Sequence, residues 1–90
     1  MAGSRYRIEF APRAERDFRR LPAAAQRRLA PRIDALAQEP RPPGARAMAG
    51  AEGLYRLRVG DYRIVYRVQD RILVVLVLKV GHRREVYRQG

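Results

Sequence analysis

Arg56 and Arg58 stand two apart within residues 54–59, and Arg63 and Arg67 stand four apart within residues 62–68. Side chains alternate across a β-strand, so Arg56 and Arg58 share one face while Tyr55, Leu57 and Val59 share the other. In the next run Tyr62, Ile64, Tyr66 and Val68 form the apolar set, and Arg63, Val65 and Arg67 the opposite one. The spacing predicts a small sheet with one face studded by Arg56, Arg58, Arg63 and Arg67, with Lys79 of a following strand as a further candidate. A guanidinium is a permanent cation with five donors in a planar fork, suited to phosphate and to stacking on bases. Four such cations on one face repel each other unless water or a phosphate backbone screens them. The cluster therefore points to nucleic acid, against the plainer reading of a solvated polar face, which is the better reading for Arg67 alone.

The whole-chain charge points the same way. Twenty Lys and Arg against nine Asp and Glu give a formal +11 on 90 residues, and only Lys79 among the twenty is not Arg. Such a molecule seeks polyanions. Arg and Ala richness also follows from GC-rich coding, so the charge imbalance weighs more than the preference for Arg. One histidine, His82, excludes a paired-histidine ribonuclease mechanism, and the scattered carboxylates show no clustering suited to a metal, so any catalysis is expected to need neither metal nor cofactor. By residue type alone His82 reads as a solvated loop residue and Tyr87, a weak base at its ordinary pKa near 10, as a core aromatic. The absence of cysteine excludes disulfides and thiolate metal sites. The longest apolar run, residues 72–78, is too short to span a bilayer and residues 1–5 hold no apolar signal core, so a cytoplasmic protein without membrane contact is expected.

The elements that must position these residues fit a single domain over residues 1–90. Residues 6–10 alternate as a first strand, and Pro12 marks the first turn of a helix whose stripe is Ala14, Phe18 and Leu21. Pro22 opens a second helix with Ala25, Leu29, Ile33 and Leu36 on one stripe; Pro31 within it predicts either a kink or two short helices in tandem. Residues 39–53 read as a Pro- and Gly-rich loop with Met48 pinning it to the core. Strands follow at 54–59, 62–68 and 72–80, joined by connections short enough to force antiparallel hairpins, and residues 86–87 could add a last short strand. The expected class is α+β in the order βααβββ: a small, twisted, mainly antiparallel sheet with both helices on the face opposite the arginines.

Two blocks carry a family resemblance: Leu54-Tyr55-Arg56-Leu57-Arg58-Val59-Gly60-Asp61-Tyr62-Arg63-Ile64-Val65-Tyr66 and, after one strand, Val80-Gly81-His82-Arg83-Arg84-Glu85-Val86-Tyr87. With the opening strand and the Phe18–Pro22 helix junction, the chain resembles the RelE toxins of the RelE/ParE superfamily along nearly its whole length. The resemblance implies the toxin of a bacterial toxin–antitoxin pair that cuts messenger RNA in the ribosomal A site, with an acidic, partly disordered RelB-like antitoxin as its partner. It implies RNA-holding roles for Arg56 and Arg58, where the best-known members carry Lys, and catalytic roles for Arg63, Arg83 and Tyr87. The segment between Gly81 and Tyr87 is two residues shorter than in some members, which leaves Arg84 as an alternative to Arg83 and His82 as an alternative to Tyr87. A ParE-like inhibitor of DNA gyrase and a basic RNA-binding protein without catalysis are the competing readings.

Overall fold

The computed structural model describes residues 5–82. The first strand, β1 (Arg7–Phe10), ends at Ala11, whose amide donates to Val77 O at 2.8 Å, and Pro12 then opens helix α1 (Pro12–Arg20) with a φ already suited to the first turn. Ala14 is fully buried beneath α1, and Phe18 meets Phe10 edge-on with ring centroids 6.0 Å apart. Leu21 turns extended and helix α2 (Ala23–Ala35) begins after Pro22. This second helix is continuous through Pro31, so neither tandem pair nor break separates its halves. Pro31 and Arg27 are both exposed, so the carbonyl left without its donor can turn to water. Leu29, Ile33 and Leu36, each at most 1 % exposed, hold the helix to the core on both sides of the proline.

Four further strands complete the sheet: β2 (Arg46–Ala47), β3 (Leu54–Val59), β4 (Tyr62–Gln69) and β5 (Val74–His82). The order across it is β1-β5-β4-β3-β2, antiparallel throughout except that β1 runs parallel to β5. The expected α+β class and the face parity of β3 and β4 hold. Leu57, Val59, Ile64, Tyr66 and Val68 join Val75, Val77 and Val80 in one core cluster with Leu29, Ile33 and Leu36.

Three details differ from expectation. The last described strand starts at Val74 rather than residue 72: Leu73 takes a left-handed φ of 55°, and Ile72 and Leu73 are exposed in the turn. The β4–β5 register shifts between Val65 and Tyr66, which pair with Lys79 and Val77 and leave Leu78 over. That bulge flips the alternation, which is how Val77 and Val80 both reach the core. The 39–53 segment is not all loop, because β2 pairs with β3, and it is not anchored by Met48, which is half-buried and outside the core cluster. Its anchors are Ala45, packed on the core, and the buried Tyr66 hydroxyl, which donates to Pro40 O at 2.7 Å. The suggested strand at 86–87 lies outside the described residues.

Candidate functional site

The β3–β4 hairpin sets the site. Its two-residue turn places Gly60 at the first central position with φ +59°, as a type II′ turn requires, and a Cβ there would sit 2.7 Å from Arg28 Nη2 of α2. The register that follows puts Arg58 directly opposite Arg63 and Arg56 opposite Val65. On the outer side β2 puts Arg46 opposite Arg56. Four arginines from three neighbouring strands thus line one concavity of about 330 Å³ together with Gly44. Among the described residues no carboxylate lines it.

Burial grades the four. Arg46 and Arg58 are exposed, Arg56 is half-buried, and Arg63 is 4 % exposed, the one charged residue among the buried ones described. A guanidinium cannot shed its charge to ease burial, and taking a charge out of water costs several kcal/mol before compensation. Like charges directly across a ladder add to that cost. An enclosed guanidinium with a second one directly opposite in register is well suited to meeting an anion.

Of the sequence-predicted residues, the structure brings Arg56, Arg58 and Arg63 together. Arg67 lies elsewhere: its Nη1 donates to Glu52 O at 2.9 Å, and it lines a different hollow with Arg41 and Asp70. Lys79 does not join the patch either. It lines a cleft with Arg13 and Asp17 of α1, where burial and then the Arg13 charge hold its ammonium below its ordinary pKa, partly offset by Asp17. His82 is not a solvated loop residue but the half-buried last residue of β5, paired in register with Tyr62 and meeting its ring edge-on at 5.7 Å. Arg83, Arg84 and Tyr87 lie outside the described residues. Arg46 was missed, because a two-residue strand is too short to show a period; the available signal was a Gly-bearing stretch, Gly50 to Gly53, leading into β3 as a hairpin connection would.

A hydrogen-bonded network around Arg41 adjoins the strand that pairs with β2. Arg41 Nη2 meets Asp70 Oδ2 at 2.8 Å, its Nε donates to the Tyr55 hydroxyl at 2.9 Å, and the Tyr6 hydroxyl donates to Asp70 Oδ1 at 2.5 Å. Hydrogen bonds from Arg41 and then Tyr6 hold the Asp70 carboxyl below the usual carboxylate range. Tyr55, which stacks on Tyr66 with centroids 5.9 Å apart, is the register partner of Ala47, so the knot fixes the strand that presents Arg46.

The family model described as the ParE toxin of the type II toxin–antitoxin system, parDE, matches residues 8–87. The chain belongs to the RelE/ParE toxin superfamily and is of the RelE type. Among its relatives, toxin RelG of Mycobacterium tuberculosis is 33 % identical, with 93 % of this chain and 98 % of that protein covered. The mRNA interferase toxin RelE of Escherichia coli K12 is also 33 % identical, over 94 % of this chain and 93 % of that one. The crystal structure of the archaeal RelE–RelB complex from Pyrococcus horikoshii superposes with a TM-score of 0.77 at 32 % identity, covering 88 % of this chain and 96 % of that chain. Among the described residues of this RelE-type chain no three His, Cys, Asp or Glu cluster as metal ligands, and no helix is long and apolar enough to cross a membrane.

Proposed function

We propose that residues 1–90 act as one RelE toxin domain, an endoribonuclease that cuts messenger RNA in the ribosomal A site and is held in check by an antitoxin. The concavity of Arg46, Arg56, Arg58 and Arg63 carries this reading, since a set of guanidinium forks suits a phosphodiester chain and no carboxylate among the described residues lines it. The interferase name of the Escherichia coli relative and the RelE–RelB pairing in the Pyrococcus complex support it. Such a toxin works in the cytoplasm, where ribosomes are, and its partner is acidic where it touches this +11 chain.

In the reaction the ribose 2′-oxygen attacks the adjacent phosphorus and the bond to the 5′-oxygen of the next nucleotide breaks, leaving a 2′,3′-cyclic phosphate and a 5′-hydroxyl. Arg56 and Arg58, helped by Arg46, hold and bend the strand. Arg63 and Arg83 stabilise the extra charge of the phosphorane, each well-placed donor supplying about 3 kcal/mol. Tyr87 takes or orients the proton of the 2′-hydroxyl, and water supplies the one that the departing oxygen needs. The ribosome adds the positioning that a small open site lacks.

The ParE description of the matching family model favours one competing reading, inhibition of DNA gyrase without nuclease chemistry. Purified chain added to programmed ribosomes, with cut sites mapped by primer extension, and to a gyrase supercoiling assay separates the two. A-site cuts with unaffected supercoiling are expected. Blocked supercoiling without cuts would install the gyrase reading, and neither effect would leave a non-catalytic RNA-binding protein.

A further inference from the structure

Outside the arginine concavity, cations also outnumber carboxylates in the cleft where the α1–α2 junction meets the end of β5. Arg13 and Arg20 of α1 line it, with Lys79 and His82 of β5 and, among the described residues, a single carboxylate, Asp17. The cleft measures about 520 Å³, within the range of small-ligand sites. Its permanent charges are three cations against one anion. Among the described residues no carboxylate lies within 4.0 Å of Lys79, which is nonetheless half-buried and close enough to Arg13 to be perturbed by it. Nothing in packing calls for this: an apolar residue of similar length at position 79 would fill the same space without the repulsion.

The cleft adjoins the candidate RNA site through the sheet itself. Gly81, in its lining, is the register partner of Arg63, and Tyr62, also in its lining, is the residue next to Arg63. Neighbouring antiparallel residues lie about 5 Å apart at Cα, less than the spacing between successive phosphates of an extended strand. Tyr62 and His82 present ring surface beside the cations, the pairing of aromatic and basic groups that single-stranded nucleic acid uses. An acidic peptide would need an apolar groove for anchors as well. Val80 is 3 % exposed, so among the described residues only Leu21 and Pro22 offer aliphatic surface there.

We propose that this cleft is a second phosphate-binding subsite, in which Lys79, Arg13 and Arg20 hold the RNA strand beyond the point where it leaves Arg63. The inference rests on the RNA-binding reading of the arginine concavity and adds a grip on its other side. A strand held on both sides of Arg63 is bent over it, which brings a 2′-hydroxyl into line with its phosphate more readily than a strand held on one side.

The test is equilibrium binding of a short, fluorescein-labelled, fully 2′-O-methylated single-stranded RNA, which the toxin cannot cut, read by anisotropy. Lys79→Met keeps the stem of the side chain and removes the charge, and Arg13→Gln with Arg20→Gln removes two charges from the exposed side of α1. Each removed contact is expected to lower the slope of log K against log [salt] by about 0.7, and affinity in low salt by several-fold. Arg56→Ala with Arg58→Ala is the reference. If the reference pair lowers the slope and the cleft variants do not, the subsite is refuted and the arginine reading stands. If neither set lowers it, the RNA reading fails with it. If the cleft variants spare RNA but weaken binding of a polyglutamate peptide, the cleft is a protein-docking site and the proposal is overturned. Should Lys79→Met fail to fold by circular dichroism, the α1 pair alone decides.

Discussion

Arg41 and the four arginines of the concavity meet this sheet in opposite settings. Arg41 has a carboxylate at 2.8 Å and, in Tyr55, both a hydroxyl that accepts from its Nε and a ring whose centroid lies 5.4 Å from its guanidinium carbon. Arg46, Arg56, Arg58 and Arg63 share a concavity that no carboxylate among the described residues lines, and they face each other in two pairs across the ladders. Charge is paired where Arg41 ties loops together and gathered where the candidate RNA site lies. The four-arginine set should therefore govern activity, and the Arg41 network stability.

The largest effect expected is on the buried member. Arg63→Met keeps bulk and removes charge, so A-site cleavage should fall by about 10²- to 10³-fold, measured in single-turnover reactions on programmed ribosomes at temperatures where circular dichroism shows the variant folded. A variant that cuts normally, or one that unfolds, would move Arg63 to the structural group. Tyr87→Phe, which keeps the ring, should cut about 10²-fold more slowly or worse with the fold intact; full activity would pass the base role to His82.

Next in size are the outer members. Arg46→Ala should weaken ribosome association and flatten its salt dependence as much as Arg56→Ala or Arg58→Ala does, each by about one counterion-releasing contact. An effect confined to Arg56 and Arg58 would return Arg46 to the solvated edge.

How much of this was legible in the sequence follows from which forces act locally. Parity along β3 and β4 placed Arg56, Arg58 and Arg63 on one face because strand alternation is a local property and the Gly60-Asp61 turn fixes the register. Arg46 depends on a two-residue pairing decided by the Arg41–Asp70 ion pair and the Tyr66–Pro40 hydrogen bond, contacts 29 and 26 residues apart that no window of sequence contains. Lys79 keeps the face of its register partner Val65, but its neighbours are Arg13 and Asp17 of α1 rather than the arginines of the concavity, and that neighbourhood is set by how α1 packs on β5. Pro31 misled for a different reason. Its cost depends on whether the orphaned carbonyl is buried, and burial is a tertiary fact.

The paired group gives smaller, purely structural effects. Tyr66→Phe strands the buried carbonyl of Pro40 and should cost about 1–2 kcal/mol, seen as a lower thermal midpoint, with cleavage chemistry retained at temperatures where the protein is folded. Burial pushes the Tyr66 phenol up to about 12, so its contribution is complete below its ordinary pKa near 10 and is lost as pH rises through about 12.

The smallest effect is at the opposite end of the pH scale. Asp70 has its carboxyl held down by Arg41 and Tyr6, so the folded protein binds this proton less readily than the unfolded chain. Its contribution to stability is therefore whole above the usual carboxylate pKa of about 4 and disappears as pH falls below that through the lower folded value. Asp70 is exposed, its side chain retaining 56 % of its accessibility, so solvent and salt screen the pair and the effect is small. Asp70→Asn removes the titration while leaving a side chain that can still meet Tyr6 and Arg41. The variant should be slightly less stable than the parent at neutral pH, and the gap should close as both are acidified in dilute salt, with melting curves at each pH as the readout. Ribosomal cleavage at neutral pH should not change. A gap that persists in acid would mean that Asp70 acts through shape rather than charge, and a fall in cleavage would mean that the knot does more than hold the β2 edge in place.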